Sequence, residues 1–198
     1  ASQTSFDCSN VGPNSVTLSV TDNNGNVSTC TTTVTVQDNI APTAICQPVT
    51  AYLDASGNTS IVAADIDGGS TDNCGIDSIT ASVTSFDCSN VGPNSVTLTV
   101  TDNNGNVSTC STTVTVVDTI APVVICHNIT VALDSSGQAA FTAIQVDNGS
   151  TDNCNNGPLT YSVDTAVYFH VGSYPVTLTV TDANGNSSDC QSTVTVID

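Results

Sequence analysis

The chain repeats itself. "TSFDCSNVGPNSVTLSVTDNNGNVSTCTTTVTVQDNIAP" from Thr4 to Pro42 returns at Thr84 to Pro122 with few changes, a shift of 80 residues, and a more diverged third copy ends at Asp198, again 80 residues after Asp118. A sequence that returns at a fixed period folds as a repeated supersecondary unit rather than around one large core. The 198 residues therefore comprise the closing half of one unit, 1–38, followed by whole units at 39–118 and 119–198, with boundaries at "QDNIAP" and "VDTIAP". Residues 1–38 carry the apolar row Val16, Leu18, Val20, Val34 and Val36 with no partner in their own unit, and a lone hairpin is marginally stable in water. This half-unit is expected either to be cut from a longer array, the favoured reading, or to be completed by strands from another chain.

Within a unit the period is two. Val96, Leu98 and Val100 alternate with Thr97, Thr99 and Thr101, and Val114 and Val116 alternate with Thr113 and Thr115, which gives strands with one apolar and one hydroxyl-rich face. Further strands are expected at Ala44 to Tyr52, Thr59 to Ala64 and Ser78 to Val83, separated by turn chemistry such as "DASGN". All 18 acidic residues are Asp and there is no Glu, Lys or Arg, which is the palette of turns and strand surfaces and not of helices. Five to seven short strands in a unit of this length describe a small all-β, antiparallel sandwich.

A net charge of -18 with no basic side chain leaves Asp repulsion to be relieved by solvent, salt or bound cations. Nucleic acid and anionic membranes are excluded as electrostatic partners. No apolar run is long enough to span a membrane, and no signal peptide is present, so export signals are expected outside this stretch. Isopeptide cross-links of the lysine-asparagine kind are chemically impossible without Lys.

Nine cysteines beside only two His, His127 and His170, fit disulfides and an oxidising, extracellular setting better than zinc. The second unit has Cys46, Cys74, Cys88 and Cys110; the third has Cys126, Cys154 and Cys190, with Tyr168 where Cys88 would map. The pair that survives in both units should be the one not involving that position. This suggests Cys46 with Cys110, Cys126 with Cys190, Cys74 with Cys88, and an unpaired Cys154, with other connectivities left open. Cys8 and Cys30 would find partners in a preceding half-domain, in each other or in a neighbouring chain.

The combination of "ICQ" or "ICH", "DNCG" or "DNCN", "VTLTVTDNNGNVSTC" and a closing "VTVVDTIAP" resembles hyalin-repeat (HYR-like) domains over the whole chain. These are immunoglobulin-like sandwiches, related in form to the polycystic-kidney-disease type, found in tandem in Bacteroidota surface proteins and adhesins. The resemblance implies an elongated extracellular array acting as stalk, fibre or adhesive surface, and a pairing of first and last cysteines. It names no ligand.

In an immunoglobulin-like topology three acidic segments converge at the pole where one repeat meets the next. They are the linker, the "DIDGGSTDN" loop with Asp65, Asp67 and Asp72, and the "TDNNGN" hairpin; in the third unit the loop carries Asp147 and Asp152. Calcium takes six to eight oxygen ligands, and such loops supply them. The expected ligands are Asp38, Asp65, Asp67, Asp102 and Asn104, then Asp118, Asp147, Asp182 and Asn184. Read structurally, the same motif is an Asn-Gly type I′ hairpin whose Asp caps its own turn.

No nucleophile, base and orienter recur with the period, so an enzyme is not expected. The expected partners are neighbouring repeats or further copies along a fibre, with surface glycans as adhesive targets. The alternative is a carbohydrate-binding accessory module, for which Tyr161, Tyr168, Phe169 and Tyr174 would supply the platform. In Bacteroidota-like sequences "DSI", "DTI" and "DTA" make Ser78, Thr119 and Thr165 candidate O-glycosylation acceptors.

Overall fold

The structure is a computed structural model that describes residues 1–154 and 156–198. Its elements in chain order are β1 (Gly12–Thr21), β2 (Val27–Val36), β3 (Val49–Tyr52), β4 (Asn58–Ser60), α1 (Ala63–Ile66), β5 (Ile76–Ala81), β6 (Ser85–Asp87), β7 (Gly92–Asp102), β8 (Val107–Val117), β9 (Ile129–Ala132), β10 (Ala139–Ala140), α2 (Ala143–Val146), β11 (Thr160–Val163), β12 (Val167–Tyr168), β13 (Gly172–Thr181) and β14 (Ser187–Ile197). Single 3₁₀ turns precede β1 and β7 at Cys8–Asn10 and Cys88–Asn90. The fold is all-β with sandwich-like sheets, as the period-two pattern predicts.

Contacts gather the chain into two units. One comprises Ala1–Val49, Val62–Thr84 and Ser95–Thr113; the other comprises Thr50–Ile61, Ser85–Asn94 and Val114–Asp198. In the first, β1 pairs antiparallel with β2 from Gly12 opposite Val36 to Thr21 opposite Val27, and β5 pairs with β7 across an irregularity between Ile76 and Ser78. The second contains a sheet ordered β11-β13-β14-β9, whose core side chains pack with those of the short pair β10-β12, and a separate short pair β4-β6. The order β3-β8-β7-β5 repeats that four-stranded arrangement 80 residues earlier. β14 departs from the antiparallel expectation at one edge: it runs parallel to β9, Val194 opposite Ile129.

The core follows from the alternation. Val176, Leu178 and Val180 of β13 and Val194 and Val196 of β14 point to one side and are buried with Ala139, Phe141 and Val146. Each Val, Leu or Phe side chain among them contributes about 1.5–3 kcal/mol on leaving water. The Thr residues between them stay on the outer face, where β-branching suits the pleat.

Two local expectations are revised. Thr59 to Ala64 is not one strand: β4 ends at Ser60 and α1 begins at Ala63, with the Asp65 carboxylate accepting from the Val62 N–H at 2.7 Å. The "TDNNGN" hairpin is not type I′. That turn needs positive φ at both central residues, and among the described residues only glycines have it. Gly105 N–H donates to Asp102 O at 3.3 Å around Asn103 and Asn104, and Gly105 itself takes φ +88° to rejoin the ladder where Asp102 N–H meets Asn106 O at 3.0 Å. This is a β-turn followed by a left-handed glycine, the common longer hairpin loop.

The disulfides correct the sequence reading more deeply. The structure pairs Cys46 with Cys110 and Cys126 with Cys190, each 64 residues apart. Cys74 does not pair with Cys88: it bonds Cys8, and Cys88 bonds Cys154, each 66 residues apart. Cys154 is therefore bonded and buried, and the free thiol is the exposed Cys30. The assumption that each staple closes within one period was the error. Cys74 lies in the unit of Asp38 and Asp102, whereas Cys88 lies in the other, beside Gly57 and Asn153. Tyr168 thus removes the first half of a bond to the following period and leaves Cys154 its partner in the preceding one.

Candidate metal centre

Each contact unit contains one cluster of three carboxylates whose oxygens lie within 4.8 Å of one another: Asp38, Asp72 and Asp102, and Asp118, Asp152 and Asp182. The two sets are related by the 80-residue shift. Each side chain is placed by the backbone of its own loop. In the second cluster Asp118 Oδ1 accepts from Ile120 N–H at 3.1 Å and from Asn153 Nδ2 at 3.4 Å, and Asp152 Oδ2 accepts from Cys154 N–H at 2.9 Å. Asp182 Oδ1 accepts from the N–H groups of Asn184 and Asn186 at 2.9 and 2.8 Å, and its Oδ2 from Asn186 Nδ2 at 2.9 Å. Asn186 Nδ2 also reaches Asp118 O at 3.2 Å and so ties the hairpin to the linker.

The first cluster matches bond for bond. Asp38 accepts from Ile40 N–H and Asn73, Asp72 from Cys74 N–H, and Asp102 from Asn104 N–H and Asn106, while Asn106 Nδ2 reaches Asp38 O at 3.2 Å.

These bonds leave a specific remainder. Asp38 Oδ2, Asp72 Oδ1, Asp118 Oδ2 and Asp152 Oδ1 are buried with no hydrogen-bond partner. Asp118 is 4% exposed and Asp182 5%. A buried carboxylate oxygen without a donor is costly, and three carboxylates at this spacing repel one another. The chain has no Lys or Arg to neutralise them. A hard cation with oxygen preference fits this donor set: it would take one orphaned oxygen from the linker Asp and one from the loop Asp, while the hairpin Asp closes the third side.

Electrostatics point the same way. Burial, followed by the neighbouring charges of Asp118 and Asp182, raises the Asp152 carboxyl above its ordinary range. At Asp102 burial works upward too, but the Asn106 amide and the N–H groups of Asn106, Asn104 and Gly105 outweigh it and hold the carboxyl below its ordinary range.

Not every expected ligand is in the clusters. Asp38 is brought to Asp102, and Asp118 to Asp182, each within its own unit, as the sequence suggested. Asp65 instead caps α1. Asp67 accepts from Ser70 N–H at 3.0 Å and from its hydroxyl at 2.5 Å, and that hydroxyl bond, offset in part by burial, lowers its carboxyl. Asp147 likewise accepts from Ser150 and from Gly149 N–H. Asn104 contributes its backbone N–H to Asp102, and Asn184 Oδ1 accepts from Asn156 Nδ2 at 3.1 Å. The places given to Asp65, Asp67 and Asp147 belong to Asp72 and Asp152. The usable signal was "TDNC": an Asp two residues before a cysteine that is bonded elsewhere is clamped twice, by the N–H it accepts from and by the disulfide beside it.

Three of the four aromatic residues expected as a platform pack inward. Tyr168 stacks on Tyr174 at 4.3 Å and on Phe141 at 6.1 Å, and both tyrosines pack against the core cluster that contains Phe141. Tyr161 packs there too, and only Phe169 of the four expected residues is exposed. Ser78, Thr119 and Thr165 are exposed.

No protein-family model matches the chain, and no curated protein matches it. Among solved structures it is similar to the mouse clustered protocadherin gamma C3 domains EC1-3, with 16% identity, TM-score 0.39, and 94% of this chain against 77% of that one. It is also similar to protocadherin gamma C5 EC1-3, with 16% identity, TM-score 0.43, and 96% against 79%. Against the protocadherin gamma B7 EC3-6 cis-dimer the identity is 19% and the TM-score 0.39, and the chain spans 60% of that protein. Values this low carry no functional inference. Among the described residues no helix is long and apolar enough to cross a membrane.

Proposed function

We propose that this chain is a structural and adhesive segment of an extracellular bacterial fibre or surface stalk, built from repeats at 39–118 and 119–198 and stiffened by divalent cations, calcium foremost, where the linkers Asp38 and Asp118 enter each repeat. The carrying observation is the duplicated set of buried, unpartnered carboxylate oxygens in a chain with no Lys or Arg. A cation bound there holds the linker, the "TDNC" loop and the "TDNNGN" hairpin in one coordination sphere. Disulfides 64 and 66 residues apart in sequence share the load, as suits an oxidising surroundings and small cores. Neighbouring repeats of the same kind are the natural partners; the hyalin-repeat resemblance supports the same reading. The glycan modification of Ser78, Thr119 and Thr165 belongs to this proposal as surface chemistry.

Electron microscopy of the native material in calcium and in chelator tests it. Straight rods with an axial repeat of domain size in calcium, and bent or collapsed ones in chelator, are expected. Isolated particles with no dependence on calcium would refute it.

A further inference from the structure

The β1-β2 hairpin is the third copy of one that the molecule covers twice. In the second contact unit β13-β14 is flanked by β11 on one edge and β9 on the other, and Leu178 and Val180 are fully buried. The same positions in β1, Leu18 and Val20, are 46% and 59% exposed. Cys30 is free and exposed, whereas its counterparts Cys110 and Cys190 bond Cys46 and Cys126. Asp22 holds the same turn as Asp102 and Asp182, accepting from Asn24 and Asn26, but Asn26 Nδ2 bonds only Asp22, whereas Asn106 and Asn186 also tie down a linker carbonyl. Three independent features, an apolar face, a thiol and an acidic turn, are thus each missing the same counterpart.

We infer that the β1-β2 face is a docking site for the opening half of a repeat of this kind, equivalent to residues 38–80. That partner supplies a strand on each edge, a cysteine at the Cys46 position for Cys30, and linker and loop Asp residues that complete a carboxylate cluster with Asp22. The internal copies define the occupant, because 38–81 and 118–163 carry those strands, cysteines and Asp residues against β7-β8 and β13-β14. In forming the bond the two thiols lose two protons and two electrons to a disulfide oxidant such as oxidised glutathione, which leaves as two thiols. A bond between a strand that opens the repeat and one that closes it makes the docking irreversible in an oxidising medium.

The test fuses residues 38–80 in front of Ala1. Ala1-Ser2 matches Ala81-Ser82, so the fusion keeps the natural register. The appended copy of Cys74 is changed to Ser to leave one pair of thiols to follow. After folding with reduced and oxidised glutathione, peptide mapping should find Cys30 bonded to the appended Cys46, maleimide labelling of Cys30 should be lost, and amide exchange at Leu18 and Val20 should slow to the level of Leu98 and Val100. A second variant with the appended Cys46 changed to Ser should keep the slowed exchange while Cys30 labels again. Cys30 labelling and β1 exchange unchanged from the 198-residue chain would overturn the inference, as would Cys30-to-Cys30 dimers forming in preference, which would make a second hairpin the occupant. All these readouts are taken without added metal, so their failure is distinct from failure of the cation proposal.

Discussion

At the scale of single residues, Asp152 carries the most diagnostic behaviour. Its raised pKa means that the folded chain holds this proton more tightly than the unfolded one, so without a cation its ionisation weakens the fold as pH rises through the raised value. Asp102 acts in the opposite sense: its stabilisation is complete above the unfolded pKa and is lost as pH falls through the lowered one. Carboxyl NMR in chelator should show Asp152 titrating above the ordinary Asp range and Asp102 below it, and saturating calcium should move Asp152 down. The substitution Asp152→Asn inverts with conditions. In chelator it should leave the melting temperature equal or higher, because a like charge is gone. In calcium it should abolish the gain from the second cluster, which reaches about 2.7 kcal/mol at a hundredfold excess over Kd, and leave that of the first. A variant that lost equal stability in both conditions would mark Asp152 as a purely structural residue.

At the scale of elements, the period-two strands and the positions of the hairpin turns were legible in the sequence, because alternation and turn residues are local signals, whereas the type I′ form read from Asn-Gly was not what the chain adopts. What was not legible depended on pairing across the period. The Cys88–Cys154 and Cys8–Cys74 bonds skip from one repeat to the next, and a single sequence offers no distance information to choose them over Cys74 with Cys88. The cluster was half legible for a local reason: linker and hairpin Asp residues were found, but the sequence does not show which loop Asp residues satisfy their own turns, so Asp65, Asp67 and Asp147 stood in for Asp72 and Asp152. Hairpin burial gives a direct contrast. Leu178→Ala should cost about 2–5 kcal/mol by denaturant unfolding, whereas Leu18→Ala, at the same position of the uncovered hairpin, should change stability by less than about 0.5 kcal/mol. Similar losses at both would mean that β1 is covered in the isolated chain.

At the scale of the whole molecule, we distinguish two systems: covalent staples, two of which link one period to the next, and carboxylate clusters that we propose a cation completes. They are separable. Replacing Cys88 and Cys154 with Ser should cost about 2–5 kcal/mol, the range for loss of a native disulfide, without removing the calcium response. Removing the cluster should do the reverse. The measurement that bears most directly on the account is calorimetric calcium titration of the chelator-treated chain beside a variant carrying Asp72→Asn and Asp152→Asn. The account predicts two sites on the parent chain, one for each cluster, and none of that affinity on the variant. No binding heat on the parent chain, or equal binding by both, would contradict it.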